Sequence, residues 1–118
     1  MVITDGKKVA YENFRGGKGK IYITWFVEEK PYNGSAVQKI ALVEVPPGSS
    51  VGFHIHKDTE EIYYILKGKG KYRDGDNELI VERGITITPV GTGHSIENIG
   101  EDMLRLLAVI NGPIFPGV

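Results

Sequence analysis

The sequence predicts an all-β fold, a β-sandwich or a jelly-roll β-barrel, on three observations. Short apolar or alternating segments follow one another along the whole chain. Turn-forming residues separate them at close spacing. Helical periodicity is weak everywhere. Glycine supplies 16 of the 118 residues, about twice its usual share, and is spread along the chain rather than pooled in a linker. That is the punctuation of many short strands.

In chain order, Val9 to Phe14 has room for one helical turn at most. The flexible, basic segment Arg15-Gly-Gly-Lys-Gly-Lys20 is read as a surface connection, with a loop over a barrel mouth as the alternative. Lys20 to Glu28 is rich in β-branched and aromatic residues and reads as a strand. Asn33-Gly34 is a turn signal. Val37 to Val45 is a second strand, ended by Pro46-Pro47-Gly48. Val51 to His56 and Glu61 to Leu66 are the next two, with a polar loop at Lys57-Asp-Thr59. Lys67 to Lys71 is a solvated turn leading into Tyr72-Arg73, and Asp74-Gly75 is a hairpin signal. Leu79 to Val81, Ile85 to Thr88, His94 to Asn98 and Leu104 to Ile110 complete the set. No internal repeat and no boundary divides the chain, so residues 1–118 are expected to form a single domain.

Composition narrows the function. The formal charge is −1, from 14 basic and 15 acidic side chains, which gives no electrostatic case for nucleic acid or an anionic membrane. Cysteine is absent, so disulfides, thiolate zinc sites and cysteine nucleophiles are excluded. No apolar run approaches the length of a membrane span. The start of the chain lacks a basic-then-apolar secretion pattern, so a cytoplasmic protein is expected.

The chemistry lies in the three histidines, which fall in two short segments. His54 and His56 are two apart, so on a strand they share a face. With both facing a barrel lumen, Phe53 and Ile55 face outward. Glu61 inward brings Tyr63 and Ile65 with it, and His94 inward brings Ile96 and Asn98. Glu61 is preferred over Glu60 because it shares parity with Tyr63 and Ile65. Three imidazoles and one carboxylate suit a divalent first-row transition metal, whether Mn, Fe, Co, Ni, Cu or Zn, and leave positions for substrate. Gly48-Ser-Ser-Val-Gly52 has the spacing of a nucleophile elbow, but no helix follows it.

The spacing Gly48, His54, His56, Glu61, Gly68, followed by Pro89, Gly91, His94, Asn98, resembles the two motifs of the cupin family. Motif 1 spans Gly48–Gly68 and motif 2 spans Arg83–Asn98. The departure is Arg83, which stands where the family has a glycine and leaves the ligand positions untouched. The resemblance implies the jelly-roll cupin barrel, with His54, His56, Glu61 and His94 as metal ligands and Mn or Fe as the favoured metal. Within the family the chain is similar to small single-domain cupins of an oxalate-decarboxylase-like group. That likeness implies a metal-dependent enzyme, decarboxylase-like or dioxygenase-like, on a small carboxylate, phenolic or sugar-like ligand held in the barrel. A non-catalytic binding cupin and a sugar isomerase or epimerase are the alternatives. Oxalate decarboxylases have two cupin domains, an arginine that grips oxalate and a lid glutamate. Here Arg73 and Arg105 are the candidate grips, and no lid acid is identifiable. Tyr63 is the candidate catalytic hydroxyl, and Phe26 and Arg73 are expected to shape the pocket. Small cupins pair as dimers through sheet edges, so a homodimer is expected, using Leu104 to Ile110 and the tail Pro113–Pro116.

Overall fold

The computed structural model describes residues 1–115. Its elements are β1 (Lys7–Glu12), a 3₁₀ turn (Phe14–Gly16), β2 (Lys20–Val27), β3 (Val37–Val45), β4 (Ser50–Ile55), β5 (Glu60–Lys67), β6 (Gly70–Asp74), β7 (Asn77–Val81), β8 (Gly84–Thr88), β9 (Gly93–Asn98) and β10 (Leu104–Asn111). They form a six-stranded sheet, in the order β1-β2-β3-β10-β5-β8, and a four-stranded sheet, in the order β4-β9-β6-β7. Every pairing is antiparallel. The two sheets face each other as the jelly roll expected, with the core between them. Ile21, Val45, Leu104 and Leu106 from the larger sheet meet Val51, Tyr72 and Ile96 from the smaller.

Eight strands stand within one or two residues of their expected places, and a ninth, β6, takes in Tyr72-Arg73 together with Gly70 and Lys71 from the expected turn. The tenth corrects the reading of Val9 to Phe14: Lys7–Glu12 is an edge strand paired only with β2, and the helical turn begins at Phe14. The Arg15–Lys20 segment is likewise not a mere surface connection. Its turn folds over the open end of the barrel and docks on β4. A Cβ at Gly17 would collide with the backbone of Ser50, and one at Gly52 with the carbonyl of Arg15. Only paired glycines permit that approach.

Strand β4 carries a bulge. Val51 opposes Ile96 and His54 opposes His94, so two residues, Gly52 and Phe53, face the single Ser95. Val51 and His54 are three apart, out of phase on a regular strand, yet both point inward. The extra residue reconciles them. A second bulge places Phe26 between Trp25 and Val27.

Strand β10 lies between β3 and β5, with both its edges paired. It therefore offers no free edge for the dimer contact expected of Leu104 to Ile110; the sheet's free edges are β1 and β8. Of the tail Pro113–Pro116, Pro116 lies outside the described residues.

Candidate metal centre

His54 comes from β4, His56 directly follows that strand, Glu61 comes from β5 and His94 from β9, and the four offered ligand atoms lie within 4.8 Å of one another. The inward faces are as the alternation predicts. Phe53 and Ile55 are exposed, while Tyr63, Ile65, Ile96 and Asn98 are buried with the cluster. Glu61 Oε1 sits 2.9 Å from Nε2 of both His56 and His94, and 4.0 Å from Nε2 of His54. His94 Nε2 is 3.2 Å from Nε2 of each other histidine. Glu60 takes no part and accepts a hydrogen bond from Asn111 Nδ2 at 3.0 Å.

The second ring nitrogen of each histidine is held from outside the cluster. His54 Nδ1 donates to the Gly52 carbonyl at 2.8 Å, which leaves a lone pair on Nε2. His56 Nδ1 meets Thr59 Oγ1 at 3.1 Å. His94 Nδ1 meets Thr88 Oγ1 at 2.8 Å and the Tyr72 hydroxyl at 3.1 Å. Anchoring of this kind fixes tautomer and ring orientation in metal sites. With Nδ1 anchored outward, the three Nε2 atoms and a carboxylate oxygen converge on one point. Electron pairs so placed repel unless a shared proton or a metal cation lies among them. Separations of 2.9–3.2 Å suit neighbouring donors on one ion with bonds of about 2.1 Å, so the donor set fits a divalent metal.

Electrostatics agree. Burial pushes the His54 imidazole down from 6.5 to about 4, which keeps it neutral and able to ligate at neutral pH. Burial alone would raise the Glu61 carboxyl, but its contacts with His56 and His94 outweigh that and hold it at about 2. Glu61 is therefore ionised.

His54, His56 and Glu61 form one wall of a cavity of about 150 Å³, while His94 is fully buried and does not line it. Tyr63 lines it, with its ring stacked on His94 at a centroid distance of 4.9 Å. Burial, then the Glu61 charge, raises the Tyr63 hydroxyl well above its ordinary value, so it stays protonated. The two expected grips lie elsewhere. Arg73 packs 4.0 Å from the centroid of the outward-facing Phe53 ring and donates to the Gly75 carbonyl. Arg105 pairs with Glu44, 3.4 Å away, on the outer face of the larger sheet. Phe26 does not line the cavity, because its bulge turns it towards Gly6.

Arg15, Phe14 and Trp25 line the cavity instead, and sequence reasoning passed over them. The signal for Trp25 was its alternation with Ile21 and Ile23. For Arg15 there was none, since it reaches the mouth only through a left-handed turn at φ 54°. Thr88 and Tyr72 were missed as supports of His94. Asn98 holds the turn that follows β9. Its side chain donates to the carbonyls of Val45 and Asp102 and accepts from Gly100 N–H. The departure at Arg83 is absorbed one residue later, where Gly84 takes φ +88°.

The family model for the cupin domain matches residues 41–110. The chain is 40% identical over 99 residues to an oxalate-binding protein of Thermotoga maritima, covering 83% of this chain and 81% of that one. It superposes on the crystal structure of a predicted oxalate decarboxylase from Thermotoga maritima with a TM-score of 0.86 and 36% identity, covering 94% and 98% of the two chains. It is 29% identical over 105 residues to the oxalate decarboxylase of Bacillus subtilis, spanning 24% of that longer protein. With its barrel, its two motifs and its three-histidine, one-glutamate cluster, the chain belongs to the cupin domain family, as a small cupin of the oxalate-decarboxylase-like group.

Proposed function

We propose that His54, His56, Glu61 and His94 ligate one divalent first-row metal, Mn or Fe foremost, and that the protein is a metal-dependent enzyme on a small carboxylate. The observation that carries this reading is the convergence of four donor atoms, three of them from residues that line a ligand-sized cavity. A metal bound there supplies a Lewis acid with open positions for substrate oxygens. The chain supplies the rest. Glu61 contributes the one carboxylate charge of the lining, and Arg15 stands at the mouth, where a cation favours entry of an anion. Apolar walls keep water from the reacting centre. Tyr63 is the proton-bearing group beside the cluster and the candidate catalytic residue. Few hydrogen-bonding groups line the walls, which argues against a sugar-like substrate, whose hydroxyls would stay unpaired.

A second reading, a carboxylate-binding cupin without turnover, is favoured by two observations. The Thermotoga relative is named for binding oxalate. Glu61 is also the only carboxylate lining the cavity among the described residues, so no second acid stands ready as a proton donor. A cytoplasmic homodimer completes the proposal. The dimer is supported by the exposed apolar outer face of β5 and β8, at Tyr64, Ile85 and Ile87.

Elemental analysis after purification without added chelator tests the metal. About one metal per chain is expected, lost in a His54→Ala, His56→Ala double variant that still folds. Metal retained by that variant overturns the ligand assignment. Protein loaded with Mn or Fe and assayed under air against oxalate, 2-oxo acids and catechols separates enzyme from binder: turnover supports the first, and binding without turnover the second.

A further inference from the structure

The cavity is larger and more apolar than a two-carbon dianion requires. Its volume of about 150 Å³ is that of an apolar cavity able to hold benzene. The reason is visible in the register of the larger sheet. One row of inward-facing residues crosses the strands as Trp25, Ala41, Ala108, Tyr63 and Thr86. Two alanines stand side by side between two aromatic rings. The row beside it carries the larger Ile23, Val43, Leu106 and Ile65, so the side chains lining the cavity are smallest at the alanine pair.

Two polar atoms at the outer end of that hollow are already engaged, while at its inner end the Tyr63 hydroxyl faces the cavity and Thr86 Oγ1 is buried without a partner. Trp25 Nε1 donates to the Tyr11 hydroxyl at 2.9 Å. Lys39 Nζ donates to the Glu28 carbonyl at 3.1 Å and rests 5.5 Å from the centroid of the Trp25 ring. Between Trp25 and Tyr63 the slot therefore offers mainly ring faces and methyl groups, with the Tyr63 hydroxyl as its one neutral polar group. Oxalate seated at the four donors would leave it unfilled.

We infer that the ligand of this site is an acid that chelates through two oxygens, such as a 2-oxo or 2-hydroxy acid, and carries an apolar group up to the size of a phenyl ring. The group lies over Ala41 and Ala108, between Trp25 and Tyr63, while the two oxygens face the cluster formed by His54, His56, Glu61 and His94. This deepens the carboxylate reading above and rests on it.

The test keeps the chelating head constant and lengthens the tail. Glyoxylate, pyruvate, 3-methyl-2-oxobutanoate, 4-methyl-2-oxopentanoate and phenylpyruvate are titrated by calorimetry into protein loaded with Co²⁺. The Co²⁺ absorption bands report displacement at the metal, and oxalate is run alongside. Affinity is expected to rise about fourfold per buried methylene, with phenylpyruvate tighter than glyoxylate by at least tenfold. Ala108→Leu fills the slot and should abolish that gain while leaving metal content and glyoxylate affinity unchanged; Ala108→Val, a smaller intrusion, should halve the gain or better if the larger residue prevents folding. Oxalate or glyoxylate binding with no gain along the series overturns this inference and leaves the carboxylate reading standing. Failure of every acid to bind, oxalate included, overturns both.

Discussion

Thr88 Oγ1 lies 2.8 Å from His94 Nδ1, and the Tyr72 hydroxyl closes the triangle at 2.9 Å from Thr88 and 3.1 Å from His94. His94 is fully buried, so these two hydroxyls decide which ring nitrogen faces the cluster. Thr88→Val keeps the shape and removes the oxygen. Losing a partner of this kind costs about 10- to 100-fold in metal affinity. Competition against a chelator of known affinity checks it, with thermal unfolding of the metal-free protein as the control. Unchanged affinity would show that Tyr72 alone orients the ring.

Acid should destabilise the metal-free protein in two steps. The His54 pKa is about 4 in the folded chain against 6.5 when unfolded. As pH falls from 6.5 towards 4, the unfolded state takes up the proton first and stability declines. Glu61, at about 2 folded against 4.5 unfolded, contributes stability that is complete above pH 4.5 and is lost as pH falls towards 2. Urea unfolding in the presence of chelator should thus show a lower midpoint at pH 5 than at pH 7.5. The His54→Ala variant should lose much of the upper step. A flat profile between pH 7.5 and 5 would contradict the buried neutral imidazole.

Gly52→Ala should disturb two things at once. The added methyl meets the Arg15 carbonyl and the Gly17 amide, and overpacking of this kind costs about 1–3 kcal/mol. The same residue's carbonyl accepts from His54 Nδ1. Denaturation should show the stability loss, and metal titration a weakened site. Gly75→Ala, whose added methyl meets nothing nearby but whose φ is +58°, is the control: it should lower stability by local strain without touching metal affinity.

Ile85 and Ile87 on the free edge strand β8 are more than half exposed, and Tyr64 pairs beside them in register. An apolar edge left in water invites pairing with another chain. Light scattering is expected to give twice the 13.0 kDa chain mass, and Ile85→Lys with Ile87→Lys to return it to that of one chain. A wild-type protein of single-chain mass at micromolar concentration would refute the dimer.

Much of the fold was legible because eight strands carry either alternation or a compact apolar run. The cluster was legible because residues two apart in extended chain share a face, as His54 and His56 do. Strand β1 was not legible: Lys7-Lys8-Val-Ala-Tyr-Glu12 lies at an edge and is mostly exposed, so it needs no apolar face. The β8 strand inverts the ordinary pattern, turning Thr86 and Thr88 inward and Ile85 and Ile87 outward, which brings the Thr88 hydroxyl to His94 Nδ1. Arg15 escaped because it comes from a turn, where no periodicity speaks. Bulges hide from alternation by construction, and two of them decide which way Phe26 and His54 face.

The bulge at Gly52-Phe53 divides a six-residue strand into two trades. Ser50 and Val51 before it serve the interior, and His54 after it serves the cluster. Random variants of this strand should accordingly sort into two phenotypes at that point. Changes before it should yield temperature-sensitive protein that still carries metal when cold. Changes at His54, and at His56 just past the strand, should yield sturdy protein that carries none. Gly52, which belongs to both halves, is where a single substitution produces both defects.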